Sequence, residues 1–540
     1  MNTVEELWRE IKNAYTETAQ QILGHEKRKK NKPWISKEIL ELSDKRRELR
    51  KIKTNSEGDM QKYREITKEI KKKAKKCKET WIEERCTEIE NNPVTMNTGK
   101  LFQIAREICG TTNTRLITVN SKEGKTLEKK EEIKQRWKQH YEEIYNEGNP
   151  VDRTVLEELP VNNKEEQMMN IMRSEVETAI KNLKRKKAPG EDTITAEMIQ
   201  AGGQCSVEMM HKLCNKIYDS KECPKDWGKA IILPIYKKGD KKECSNYRPI
   251  SLLSIAGKVY TKILQQRLKR YVEEAMNEEQ AGFRKGRSTM DQIFVIRQLS
   301  EKYIEKNRTL YNNFIDYKQA FDSVWQEGLW KVLRHCGVPE QLVELIEDLY
   351  SKSISAVKID GELTEWFKIK VGVRQGCEIS SDLFNLLLEI VMRLANEEQE
   401  TGININGRAT NNLRFADDID LLADSCRDLQ ELTSRVNNSS KRMGLKINVE
   451  KTKTMVIGKQ HEDIEIKIEN KVLEQVTKFI YLGGTMTEDG RCTEDIKRRC
   501  GLACAAFGGL SKNVEGKKYH HQDQEEIISC PGGTGHFIWI

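Results

Sequence analysis

The chain has 540 residues, 33% of them charged and 37% hydrophobic, with a mean hydropathy of −0.72. That length supports several domains and a sizeable core, and no apolar run approaches the length of a membrane span. Lys and Arg number 93 against 85 Asp and Glu, a net charge of +8, and the opening MNTVEELWREIKN is acidic and amphipathic, unlike a secretory signal.

The distribution of charge says more than its sum. Basic residues crowd into HEKRKKNKPW, DKRRELRKIK, KEIKKKAKKCKE and NLKRKKAPG. Such clusters suit phosphate backbones, while any one of them alone reads equally as a solvated helix face. The 14 cysteines include no C-x-x-C pair, and the nearest two, Cys500 and Cys504, have no histidine at knuckle spacing. The pattern gives no zinc site and no disulfide framework. Free thiols fit a reducing compartment, nuclear or cytoplasmic.

Along the chain, residues 1–120 read as charged helices with few strand signals. SKEILELSDKRRELRKIK and QKYREITKEIKKKAKKCKETWIEERC are basic amphipathic helices, and NNPVTMNTGK is a turn-rich break. Ile133, Trp137, Tyr141, Ile144 and Tyr145 recur at helical spacing, a stripe that packs against a core. From Ser174 the texture changes. SEVE reads as a capping box before a helical face of Val176, Ala179, Ile180 and Leu183, which Pro189-Gly190 ends. KAIILPIYKKGD is a strand running into a basic turn. Ile255, Val259, Ile263, Leu264 and Leu268 mark a helix, and TLYNNFIDY a strand. AVKIDGELTEWFKI is a hairpin turning at Asp360-Gly361, followed by an apolar helix over Leu383–Leu394. NLRFADDIDLLA reads as two strands around a turn. Leu429, Leu432 and Val436 give another helix, ended by Gly444; KTKTMVIG and KFIYLGG are strands. Irregular alternation without a βαβ repeat points to an α+β fold with an antiparallel sheet. The last segment, GKKYHHQDQEEIISCPGGTGHFIWI, has neither period.

Asp417 and Asp418 stand side by side between apolar runs. A plain turn is one reading, since Asp favours turns. The other is a pair of metal ligands at the end of core strands. Catalysis by two metal ions needs carboxylates from separate strands converging on one point, and NNFIDYKQAFDSV supplies the partner: Phe314 and Ile315 are buried-strand residues with Asp316 directly after them. Three such charges imply cations, and oxygen ligands favour Mg²⁺.

The order of motifs resembles the reverse transcriptase domain of non-LTR (LINE-type) retrotransposons. KKAPGEDTITAEMI is similar to the block that opens that domain. PIYKKGDKKECSNYRPISLLSIAGKVYTKIL and EQAGFRKGRSTMDQI resemble its fingers. FIDYKQAFDSV, GVRQGCEISSDLFNLLLE and FADD resemble its successive palm motifs, and GLKINVEKTKTM and FIYLGGTMTEDGRCTEDIKRR those that follow. The match spans about Ser174 to Phe507 and its specificity lies in the full series. It implies a right-hand polymerase with fingers over 174–305, palm over 306–490 and the start of a thumb over 491–510. A basic linker-like region (1–120) and a helical extension (121–173) precede it. Intron-maturase polymerases share the palm, but NYRPISLLS and FIYLGG fit the retrotransposon group better.

The resemblance implies roles residue by residue. Asp316, Asp417 and Asp418 would hold two Mg²⁺ ions, with the backbone carbonyl of Ile315 completing a shell. Phe321 would lie under the incoming sugar and clash with a 2′-hydroxyl, the group that separates RNA from DNA; the alternative is a core Phe beside Ala320. Gln375 would sit near nucleotide and template, with Gly372 and Gly376 permitting close backbone approach. Arg248 and Lys237 or Lys238 would contact the triphosphate, and Lys451 would protonate the leaving pyrophosphate. Tyr481 and Leu482 would grip the primer. The implied partners are an RNA template, a DNA primer or target DNA, and deoxynucleoside triphosphates.

Three departures from the family stand out. No endonuclease motif precedes the linker-like segment, so no nuclease activity is expected. Glu378, Ser381 and Asp382 stand where the family has two prolines nearby, and the two acids would repel phosphates in a template groove. The thumb is cut short, with 511–540 an aberrant tail such as a frameshift produces. These features keep open a second reading, a non-catalytic nucleic-acid-binding remnant.

Overall fold

In the computed structural model, residues 3–24, 32–51, 57–90, 118–162, 168–396, 402–405, 407–459 and 462–515 are described. The acidic opening segment forms α1 (Val4–Ile22), whose Val4, Leu7, Trp8, Ile11 and Tyr15 share one buried face. That face belongs to the main core: Trp8 donates to Asp226 and packs 5.6 Å from Trp227, and the Tyr15 hydroxyl bonds Ser206 at 2.6 Å. So α1 joins the main unit, with residues 118–505, and not the basic helices that follow it.

Those helices, α2 (Lys37–Lys51) and α3 (Glu57–Glu90), form a separate unit. Trp34 and Trp81 pack there with their rings tilted and 5.3 Å apart, with Lys32 and Lys78 over the Trp34 ring, and Lys73 pairs with Glu38 and Glu69. The tail from residue 516 lies outside the described residues. Among the described residues, no helix is long and apolar enough to cross a membrane.

In the main unit the aromatic stripe forms α4 (Lys130–Asn146), burying Ile133, Trp137, Tyr141 and Tyr145. It packs on a sheet of β1 (Lys229–Tyr236), β2 (Tyr247–Leu253) and β4 (Ile354–Ile359), completed by two short strands at Glu362–Leu363 and Phe367–Lys368. The Asp360-Gly361 turn has both residues at positive φ, as expected. The helical face after residue 172 is α5 (Arg173–Lys181), but Ser174 does not cap it. The cap falls two residues earlier, at Met172, whose backbone N–H donates to Glu175 at 2.8 Å. Further helices are α6 (Gly203–Ser220), α7 (Ile255–Ala275), α8 (Thr289–Glu305), α9 (Ser380–Asn396), α10 (Cys426–Arg442) and α11 (Thr493–Glu515).

The second sheet positions the candidate site. Its order is β5 (Asn412–Phe415), β6 (Asp418–Ala423), β3 (Leu310–Ile315), β7 (Lys453–Ile457), β8 (Glu474–Gln475). Strand β3 is buried throughout, and its alternate residues enter different cores. Tyr311 and Ile315, with Ile419, Leu421 and Ala423, join the large core that contains α9 and α10. Leu310 and Phe314, with Leu413 and Leu422, join a second core under α8 and the hairpin of β9 (Lys478–Tyr481) and β10 (Gly484–Thr487). Neither sheet is wholly antiparallel: β7 pairs β8, and β1 pairs β4, in parallel.

Candidate active site

Strand register brings the carboxylates together. Ile315 on β3 pairs with Ile419 on β6; continuing that register sets Asp316 opposite Asp418. Phe415 pairs with Asp418, leaving Ala416 and Asp417 as a two-residue turn. The backbone of Asp316 is fixed from the other side. Its N–H donates to Thr452 Oγ1 at 3.3 Å, and its carbonyl accepts from the Asn448 N–H at 2.7 Å. The GLKINVEKTK segment is thus a brace for Asp316.

Ala416 is left-handed at φ 58°, costly for a residue with a Cβ. Gln280, fully buried, holds it there: Oε1 accepts the Ala416 N–H at 2.9 Å and Nε2 donates to the Ala416 carbonyl at 3.3 Å. The same Oε1 accepts from the Gly282 N–H at 2.8 Å. A Cβ at Gly282 would lie 2.2 Å from the Ala416 nitrogen, so only glycine allows this approach. Sequence reading missed Gln280; its signal was EQAGFRKG, quoted only as a fingers motif.

The electrostatics follow from this crowding. Loss of hydration raises the Asp417 carboxyl above the usual range, and Asp316 adds to it against the pull of Arg248 and Lys237. Asp418 is pushed up to about 6, by loss of hydration first, then by Asp417 and Asp316. Lys451 Nζ lies 3.3 Å from Asp316 Oδ2. Lys237 is lowered by partial burial and by its neighbours Lys451, Arg248 and Lys238. Cations from the β1–β2 connection, from β2 and from Lys451, two residues before β7, thus share one field with the three acids. Four mutually repelling cations suit a polyanion.

Phe321 is half-buried, stacked on Phe384 at 4.3 Å and edge-on to the exposed Phe283 at 6.4 Å. Gln375 is anchored: its Nε2 donates to Asp322 Oδ1 at 2.8 Å, and the Tyr145 hydroxyl donates to the same oxygen at 3.1 Å. Burial raises Asp322 to about 6. Gly372 has φ 88° and Gly376 φ 93°; an added Cβ would meet the Asp322 carbonyl oxygen at 2.7 Å at the first and the Ser251 carbonyl oxygen at 3.0 Å at the second. Tyr145 therefore does more than pack.

Other expected residues lie elsewhere. Tyr481 is 3% exposed, its ring 5.4 Å from Phe314 and its hydroxyl on the Leu413 carbonyl at 3.3 Å. It is a core residue with no surface to offer a primer, because the strand's alternation turns it inward. Leu482, at the hairpin turn, is half-buried, while Ile480 is exposed. Asp382 is also buried, accepting from Gln265 Nε2 at 2.7 Å, so it does not face a template groove. Glu378 is exposed, within the field of Lys258. Asp420, fully buried with neither oxygen hydrogen-bonded, is raised well above the usual carboxylate range by burial alone.

Among the described residues, no three His, Cys, Asp or Glu side chains are gathered as a ready metal cage. The chemistry nevertheless fits hard cations. Asp316 Oδ2 is buried and faces the Lys451 ammonium at 3.3 Å, and the ionised forms of Asp417 and Asp418 are disfavoured by loss of hydration first and then by the neighbouring acids.

Residues 235–486 match the family model described as reverse transcriptase (RNA-dependent DNA polymerase). That stretch, just under half of the chain, resembles a reverse transcriptase domain. The motif resemblance to non-LTR retrotransposon enzymes is borne out by the relatives. The Xenopus laevis "Transposon TX1 uncharacterized 149 kDa protein" is 26% identical over 71% of this chain and 30% of its own length. The Drosophila melanogaster "Probable RNA-directed DNA polymerase from transposon BS" is 29% identical over 58% and 35%. "RNA-directed DNA polymerase from mobile element jockey", also from Drosophila melanogaster, is 25% identical over 58% and 34%. The chain thus spans about a third of the length of these curated relatives. Among solved structures, apo telomerase from Candida tropicalis, truncated from its C-terminal domain, aligns at TM-score 0.36 with 16% identity, over 48% of this chain and 53% of that one.

Proposed function

We propose that this reverse transcriptase domain is an RNA-directed DNA polymerase of a non-LTR retrotransposon. It extends a DNA 3′-hydroxyl with deoxynucleotides on an RNA template. The observation that carries the reading is the register that sets Asp316 against Asp418, with Asp417 in the adjoining turn, inside the field of Lys237, Arg248 and Lys451. The arrangement is a right hand, with fingers over 174–305, palm over 306–490 and the start of a thumb from 491.

Asp316, Asp417 and Asp418, with the carbonyl of Ile315, would hold Mg²⁺. Two such ions, when bound, acidify the primer hydroxyl and neutralise the triphosphate. The chain's own groups do the rest. Lys237, Lys238 and Arg248 hold the triphosphate, Arg248 by its fork. Lys451, beside Asp316, donates the proton that the departing pyrophosphate takes up. Phe321, backed by Phe384, cannot retreat from a 2′-hydroxyl, so ribonucleotides are excluded. Gln375, fixed by Asp322 and Tyr145, orients nucleotide against template. The β9–β10 hairpin supports the primer through its tip, at Ile480 and Leu482.

The test is primer extension with an RNA template, DNA primer, deoxynucleotides and Mg²⁺. Extension that disappears in Asp417→Asn supports the proposal. Salt-sensitive RNA binding without extension leaves the non-catalytic remnant instead.

A further inference from the structure

Phe283 is an exposed aromatic ring in a rigid frame. It is 56% exposed, yet its backbone is left-handed at φ 61°, rare for a bulky side chain. The residues around it are pinned. The Ala281 N–H donates to the Arg414 carbonyl at 2.9 Å, and the Gly282 carbonyl accepts from Asn385 Nδ2 at 2.8 Å. Arg284 Nη1 donates to the carbonyls of Asn277 and Gln280, at 2.8 and 3.1 Å. The Gln280 clamp ties this segment to the turn that carries Asp417. The chain therefore holds an apolar ring out of its core at a strained backbone position, locked to the carboxylate turn.

We propose that Phe283 is a stacking platform for a nucleobase, the first unpaired base of the template strand. This rests on the polymerase reading. A fixed, exposed ring suits a base because every base has a π-face, and rigidity removes the entropy cost of ordering it. The Phe283 and Phe321 rings stand perpendicular with centroids 6.4 Å apart, so Phe283 adjoins the wall that would support the incoming sugar. The cations that would draw the triphosphate lie on other elements, at Lys237, Arg248 and Lys451, which leaves the Phe283 side to the opposing strand.

Binding of primer–template without catalysis tests this, with Ca²⁺ in place of Mg²⁺. One template carries a base at its first unpaired position, and the other an abasic site there. The intact protein is expected to bind the first about tenfold more tightly. Phe283→Ala is expected to erase that difference, and Phe283→Trp to retain it, with unchanged melting temperatures. A preference that persists in Phe283→Ala, or is absent from the intact protein, overturns the proposal. If Phe283→Ala leaves the preference intact but raises KM for the deoxynucleotide, the ring serves the incoming base and the template assignment fails. Failure to bind any primer–template would overturn the polymerase reading beneath it.

Discussion

Two hairpins of the main unit use the same device for different ends. In β5–β6 the turn is Ala416-Asp417, and in β9–β10 it is Leu482-Gly483. Each opens on a left-handed residue that is not glycine, Ala416 at 58° and Leu482 at 49°. At the second, Gly483 follows at 84° with open space around it, and the neighbouring Tyr481 turns inward to close a core. At the first, nothing in the turn relieves the strain. Gln280 and Gly282 hold it from another element, and the turn presents charge. The second turn carries its own glycine, whose carbonyl accepts from Arg498 and Arg499 of α11. A turn that must fix two carboxylates is held from outside.

The contrast requires the Asp417 turn to respond in activity and the buried Tyr481 of the second hairpin to respond in stability. Asp417→Asn should reduce primer extension by at least about 10³-fold with primer–template binding retained, as titration of binding against turnover would show. Gln280→Leu removes both bonds to Ala416 and should lower kcat by about 10- to 100-fold, through misplacement of the carboxylates. Gln280→Glu, which keeps the acceptor oxygen, should retain more activity than Gln280→Leu. If Gln280→Leu loses stability and keeps kcat, the clamp is not functional. Gly282→Ala, whose Cβ would strike the turn, should resemble Gln280→Leu in kcat.

Smaller effects sharpen the contrast. Asp322 holds its proton more tightly folded, at about 6, than unfolded, at about 3.9. Its contribution is therefore full below about pH 4 and lost as pH rises through about 6. Asp322→Asn should flatten that fall, by up to about 3 kcal/mol, in thermal melts between pH 4.5 and 7.5. Tyr481→Phe removes one hydroxyl and should cost about 1 kcal/mol in denaturant titrations, with extension below the melting transition within about twofold of the unsubstituted protein.

Much of the site was legible because strands and polar punctuation are local signals. FIDY announces Asp316 at the end of a buried run, and FADD between apolar residues announces a turn. What sequence reading lost was facing and partnership. Tyr481 and Asp382 sit in motifs that the resemblance tied to nucleic acid, yet strand alternation and the first turn of α9 bury both. Asp420, two residues beyond Asp418, lies between Ile419 and Leu421 as one more acid in a short string; the sheet sends it into an apolar core without a partner. Residues 1–120 shared a charged, helical texture, but the Trp8 face assigns α1 to the main core.

The sequence alone determined the order of strands and helices, the three acids and their family resemblance, because periodicity and motif order are properties of neighbouring residues. Only tertiary structure decided that Asp316 meets Asp418, that Gln280 from the fingers motif holds the turn carrying Asp417, and that Phe283 stands exposed beside Phe321. Those facts depend on register and on contacts between segments 38 to 136 residues apart, where no local pattern reaches.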